Sequence, residues 1–154
     1  MRTLLPWILL GAAALPLAAA GDEREVVAAV QRLFDAMAAH DEAALRSLLM
    51  PDGRIGTVRA NGAVSLSTPA EFAARIGAAK EPLLERIWSP TVLVQDRMAT
   101  VWAPYDFHRA GKLTHCGIDS ITLFRTPDGW RVAGVSYTVV DVAQCTPSPL
   151  GPPR

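Results

Sequence analysis

The 154-residue chain carries no excess charge of either sign, with 15 basic residues set against 15 acidic ones. Proteins that bind nucleic acid draw affinity from clustered Lys and Arg neutralising phosphates, so this balance excludes that class. Aromatic residues are scarce at 6%, and there are only two cysteines and three histidines. His40, His108 and His115 are scattered, with no clustered metal-ligand spacing; phosphate loops and triad signatures are missing as well. Neither a metal nor a cofactor is therefore expected. Internal repeats and linkers are absent too. With half its residues apolar and 19% charged, the chain is not a disordered one. Its length suits a single domain with a real core.

What is present begins with a leader. Arg2 is the only early charge, residues 3–17 are mainly Leu, Ala, Pro and Trp, and Ala18-Ala19-Ala20 supplies an A-x-A site. Residues 1–20 thus read as a signal peptide, with the mature chain starting near Gly21 and exported to the periplasm or beyond. A membrane anchor is the rival reading. The apolar stretch is short of the about 20 residues a span needs, is broken by Pro6 and Pro16, and turns Ala-rich after Leu10. No cysteine marks a lipid anchor, so no membrane association is expected after cleavage.

Residues 21–141 read as the folded domain and 142–154 as a Pro-rich, unstructured tail. Asp22 and Glu25 form a capping-box-like start to a helix whose stripe is Val26, Val30, Leu33 and Met37, flanked by Val27 and Phe34. Asp41 caps a second short helix carrying Leu45, Leu48 and Leu49, stopped by Pro51-Asp52-Gly53. Residues 54–59 and 63–67 make a weak hairpin turned at Asn61-Gly62. Thr68, Pro69 and Glu71 supply N-cap, N1 proline and N3 glutamate for a third helix that buries Phe72 and Ile76. Four extended segments follow, 84–94, 98–108, 112–125 and 130–141, rich in β-branched and aromatic residues. Helices followed by a run of strands predict an α+β fold, the helices packed on one curved antiparallel sheet.

The segments Ala99-Thr100-Val101-Trp102-Ala103-Pro104-Tyr105-Asp106-Phe107, His115-Cys116-Gly117-Ile118-Asp119-Ser120 and Asp128-Gly129-Trp130-Arg131-Val132 carry a resemblance to the nuclear transport factor 2-like superfamily. That group includes SnoaL-like cyclases and ketosteroid isomerases. The resemblance covers about residues 22–141 and implies a cone-shaped sheet whose open end makes a pocket, often in a dimer. It implies no activity, since the fold hosts enzymes and binding modules alike. The chain departs from ketosteroid isomerases: its first helix offers Phe34 and no tyrosine, and residues 54–59 hold no carboxylate to act as base.

Register follows from the turns. A two-residue turn at Ala110-Gly111 would force alanine to φ > 0, so a three-residue loop 109–111 with left-handed Gly111 is predicted. It pairs His108 with Lys112, Tyr105 with His115 and Val101 with Asp119. Pro127-Asp128-Gly129 is the same device and pairs Thr126 with Trp130, Ile121 with Val135 and Asp119 with Tyr137. Odd-numbered residues then share one face, among them Val101, Ala103, Phe107, Leu123 and Ala133. Trp102, Ile118, Phe124, Trp130 and Val132 form an apolar outer face, which a second copy of the chain would cover. Pro104 cannot donate to a ladder and is a candidate bulge.

Tyr105, His115, Asp119 and Tyr137 are the candidate ligand-binding residues. Asp119 or His115 is the candidate proton carrier, because a carboxyl among apolar side chains is hard to ionise. The alternative is that each is a buried polar group satisfied by its cross-strand neighbour. His115 and Asp119 stand about 13 Å apart along one strand and share no hydrogen bond. His40 reads as a loop residue, and His108 as solvated beside a turn.

Cys116 and Cys145 are the natural disulfide of an exported chain, with the tail crossing the outer face. Closing such a loop stabilises by about 3–4 kcal/mol. Free buried thiols, or a nucleophilic Cys116, are the alternatives. The expected function is binding of a small apolar molecule; the rivals are an isomerase, dehydratase or cyclase and a non-catalytic interaction module.

Overall fold

The computed structural model describes residues 17–153, with side chains placed from residue 21 onward. Residues 1–16 of the expected leader lie outside the described residues. Helix α1 (Leu17–Ala38) runs straight through the expected start at Asp22. Leu17 and the three alanines after it are good helix formers, so nothing in the backbone halts the helix there. Asp22 and Glu25 serve elsewhere: both bond the guanidinium of Arg125, at 3.0 and 2.9 Å. The predicted stripe is the buried one, with Val26, Val30, Leu33, Phe34 and Met37 all in the core. Each such side chain stabilises by about 1.5–3 kcal/mol on full burial, which is what fixes α1 to the sheet.

Asp41 caps α2 (Glu42–Leu48), accepting from the Ala44 N–H at 2.9 Å. Strand β1 (Leu49–Arg59) begins at once, so Pro51-Asp52-Gly53 does not stop a helix but lies in an irregular stretch of strand. β2 (Val64–Ser67) pairs back onto β1. The capping box of α3 (Pro69–Gly77) forms as expected, Thr68 and Glu71 satisfying each other's backbone N–H. Segment 84–94 is two strands rather than one, β3 (Leu83–Ile87) and β4 (Thr91–Gln95), broken at Ser89, whose φ is 44°. Then come β5 (Met98–Arg109), β6 (Lys112–Thr126) and β7 (Gly129–Val139). The sheet order is β2-β1-β7-β6-β5-β3, with β4 also on β5. Every pair is antiparallel except β1 with β7. The result is an α+β cone, its curved sheet wrapped on three helices.

Pro104 stays in register opposite Ile118 and makes no bulge. Its carbonyl accepts from Trp88 at 3.3 Å, so the edge where its own N–H is missing faces the break between β3 and β4. The ladder loses nothing there.

Both hairpin turns depart from expectation, and bulges compensate. Ala110 (φ 49°) and Gly111 (φ 74°) form a two-residue turn that pairs Arg109 with Lys112. Alanine thus does occupy a left-handed seat, at a cost of about 1 kcal/mol. A bulge at Thr114 then shifts the register once more, so Phe107 faces His115, Tyr105 faces Gly117 and Ala103 faces Asp119. The expected Tyr105–His115 and Val101–Asp119 pairs do not form, yet two one-residue shifts leave odd opposite odd. In the second hairpin Gly129 takes its left-handed seat (φ 105°), but Thr126 pairs with Gly129 rather than Trp130. A bulge at Ala133 restores the expected Ile121–Val135 and Asp119–Tyr137 pairs. Between turn and bulge the parity is inverted, so Trp130 and Val132 sink into the core instead of joining the outer face.

The tail is not unstructured. Val140 bridges to Cys116, residues Val142–Gln144 make a 3-10 turn, and Cys116 and Cys145 are disulfide-bonded with Cα atoms 5.9 Å apart. Arg86 donates to the Gly151 carbonyl at 3.0 Å. The tail therefore straps the outer face at one end. His108 is buried against Asp106, not solvated as expected.

Candidate functional site

The helices do not fill the inner face of the sheet completely. Beyond the sealed end around Leu45 and Leu49 lies an open cavity of about 320 Å³. Leu33, Phe34 and Met37 of α1 and Phe72 and Ile76 of α3 wall one side, and the inner face of β1, β5, β6 and β7 walls the other. Its surface is mostly apolar, with a few convergent polar groups, as small-molecule sites are built.

Three of the four sequence-predicted residues meet here. Tyr105, His115 and Tyr137 form an aromatic cluster with Phe107: ring centroids lie 5.8 Å apart for Tyr105–His115, 6.1 Å for Tyr105–Tyr137 and 5.1 Å for Phe107–His115. Tyr105 reaches its place because its cross-strand partner is Gly117. A Cβ at Gly117 would lie 2.1 Å from the Thr138 carbonyl oxygen, so no other residue lets β7 pass so close. The Tyr105 hydroxyl donates to that same carbonyl at 2.7 Å. It is already engaged, and burial, then the carboxylates of Asp119 and Glu85, raise its pKa. His115 is half-buried; desolvation, with Arg59 and Arg109 behind it, lowers its pKa and favours the neutral ring.

Asp119 is placed differently. It is 1% exposed, faces Tyr137 across the strands as expected, and lies beneath the cavity rather than on its wall. The acid on the wall is Glu85 of β3, which sequence reasoning missed. Its carboxyl lies close enough to that of Asp119 for the two to interact. Burial raises Glu85 far above the carboxylate range, reinforced by the charges of Asp119 and Asp106. Burial also pushes Asp119 up to about 7, against the Glu85 hydrogen bond, which favours its ionised form. Both acids therefore ionise less readily than exposed carboxyls, and Asp119 Oδ2 makes no hydrogen bond. The only sequence signal was a lone acid inside the apolar run Leu83-Leu84-Glu85-Arg86-Ile87, and its face depended on a pairing not yet known.

Three arginines ring the mouth: Arg59 at the end of β1, Arg75 on α3 and Arg109 at the end of β5. Arg109 is paired with Glu81 at 2.8 Å, and Arg75 lies over the Phe72 ring at 5.5 Å. Arg59 and Arg75 make no ion pair among the described residues. A second, more polar cleft shares Ile55, Thr57, Arg59, Arg75 and Tyr137 with the cavity and extends it toward Ser65 and Ser67 of β2. Among the described residues no three His, Cys, Asp or Glu side chains gather as a metal site, and no helix is long and apolar enough to cross a membrane.

No protein-family model matches the chain, and neither does any curated protein. Solved structures do. A nuclear transport factor 2-like protein with a cystatin-like fold from Novosphingobium aromaticivorans superposes with a TM-score of 0.66 at 21% identity, over 83% of this chain and 88% of that one. A nuclear transport factor 2-like protein of unknown function from Silicibacter pomeroyi gives 0.63 at 18% identity, over 79% and 98%. A Streptomyces avermitilis protein of the same group, described as a candidate dehydratase, gives 0.65 at 21% identity, over 79% and 98%. At such identities the likeness is one of fold, and the fold is nuclear transport factor 2-like.

Proposed function

We propose that the protein is an exported binding module that holds one small, largely apolar molecule in the cavity between α1, α3 and the sheet. The observation that carries this reading is the cavity itself: about 320 Å³, open at one end, apolar-walled, with Glu85, His115 and Tyr137 turned into it. A vestigial pocket in a pure interaction module would be filled by its own side chains. Tyr105 lines the cavity with its hydroxyl tied to Thr138, and Asp119 is buried behind the wall. Export is supported by the leader-like residues 1–20 and by the Cys116–Cys145 disulfide, which persists in oxidising compartments. Pairing with a second copy is supported by the exposed outer-face side chains Leu93, Met98, Trp102 and Phe124, of which Leu93 and Trp102 are 66% and 54% exposed.

Native mass spectrometry of protein secreted to an oxidising compartment tests all of this together. A mass lacking about the first twenty residues, two hydrogens lighter than the reduced chain, dimeric and carrying a small-molecule adduct is the expected result. A ligand-free protein that takes up no apolar compound from a panel overturns the binding reading.

The Glu85–Asp119 pair favours a second reading, a proton-transfer enzyme. Glu85 would give its proton to a ligand's carbonyl oxygen while the neutral His115 ring takes one from the adjacent carbon, forming the enol. The reverse transfers, after both groups exchange with water, return the ketone with a solvent hydrogen on carbon. Incorporation of solvent deuterium into bound decan-2-one, lost in Glu85→Gln while binding persists, is the expected signature. Binding without exchange in the parent protein rules the enzyme out.

A further inference from the structure

The polar groups of the cavity are not distributed evenly along it. Its inner part is acidic: Glu85 lies on the wall, with Asp119 buried behind it. Its mouth is basic, ringed by Arg59, Arg75 and Arg109. Arg109 is paired with Glu81 at 2.8 Å, whereas Arg59 and Arg75 make no ion pair among the described residues. These two stand on opposite sides of the opening, one on β1 and one on α3, and both also line the side cleft. Ser65 and Ser67 of β2 lie on that cleft as well, opposite Thr57 and Ile55. Two unpaired guanidiniums with two hydroxyls and an apolar chamber behind them form a receptor for one small anion with an apolar body attached. The arginines stand at the opening with the apolar walls behind them, which sets the ligand's direction: head at the mouth, body inward.

We propose that the ligand is a monocarboxylic acid whose apolar body fills the cavity and whose carboxylate is held at the mouth by Arg59 and Arg75. This rests on the reading of the cavity as a binding site and adds the ligand's class and orientation. The neutral His115 ring and the aromatic cluster pack against the body, not the head. Arg59 and Arg75 are exposed side chains outside the core, so replacing them leaves the fold intact.

Decanoate and decan-1-ol have the same chain and differ in the charged head, so calorimetric titration of both into the purified protein tests the assignment. Decanoate should bind at least tenfold tighter than decanol, with an advantage that shrinks as salt is raised. Arg59→Gln/Arg75→Gln should bring decanoate down to the decanol affinity and leave decanol unchanged. Equal affinities for the two probes, or a loss in the double variant that is the same for both, overturns the carboxylate assignment while the cavity stands as an apolar site. Failure of both probes to bind the parent protein takes the cavity reading down as well.

Discussion

Asp106 and Asp119 sit on the same hairpin, both all but buried, and the protein treats them in opposite ways. Asp106 points to the outer face, where Arg86 binds both its oxygens and His108 Nε2 lies 3.2 Å away. Burial alone would raise its pKa, but the hydrogen bonds and charges of those two neighbours outweigh it and hold the carboxyl below its usual range. Asp119 points inward, where the nearest polar partner is another acid, and its pKa goes up. One carboxylate is neutralised by a fixed cation and the other by a mobile proton. The first arrangement fastens the sheet edge and the tail; the second leaves a proton beside an open cavity. Burial by itself therefore does not distinguish a structural acid from a chemically available one, whereas the identity of the neighbour does.

The largest test of this contrast is removal of the cation. Arg86→Met should strand a buried charge at Asp106 and lower stability by about 3 kcal/mol in urea unfolding at pH 7. It also frees the tail at Gly151. Arg86→Met/Asp106→Leu should recover most of that loss, since an apolar pair carries no uncompensated charge. A loss under about 1 kcal/mol in the single variant would place the pair with ordinary surface ion pairs and dissolve the contrast.

Titration of stability separates the two acids by sign. Asp106, with its pKa held down, adds stability above the ordinary carboxylate range, and that share is lost as pH falls. The Glu85–Asp119 pair, with pKa values raised, adds stability that is complete below about pH 4 and drains away as pH rises toward about 7. Glu85→Gln replaces an ionisable carboxyl with a permanently neutral amide beside Asp119. It should gain about 1–2 kcal/mol over the parent protein at pH 8 and nothing at pH 4, read by unfolding at the two pH values. A gain that is the same at both would mean the pair does not titrate as a buried dyad.

How much of this was visible beforehand depended on whether a feature is local. The α3 cap and the Asp41 cap are short-range devices, complete within four residues, and both form as their residues dictate. The stripe of α1 needed only helical periodicity. The inner face was legible from Tyr105, Asp119 and Tyr137 because two errors cancelled: a tighter turn and a bulge at Thr114 each moved the register by one. Nothing cancelled at Trp130 and Val132, which lie between a turn and the Ala133 bulge, so their face was misread. Glu85 and the arginine mouth were invisible because they exist only once β3 lies on β5 and α3 faces β1, and those contacts are set by the whole core.

The smallest expected effect concerns the turn on which the parity of β5 and β6 depends. Ala110 and Gly111 are both left-handed, the backbone of an Asn-Gly turn with alanine in the asparagine seat. Asparagine tolerates that conformation and alanine does not, so Ala110→Asn should stabilise by about 0.5–1 kcal/mol. Ala110 is exposed and its N–H donates outward to the Pro82 carbonyl at 2.9 Å, a bond the substitution keeps. The bulge at Thr114 would then still set Asp106 outward and Asp119 inward, and the opposite pH slopes of the two acids should survive unchanged. If Ala110→Asn is instead neutral or destabilising, the tight turn is not the resting geometry. The three-residue loop would then pair Tyr105 with His115 and draw Asp119 out from beside Ala103, and the acid floor of the cavity would have to be rebuilt around that register.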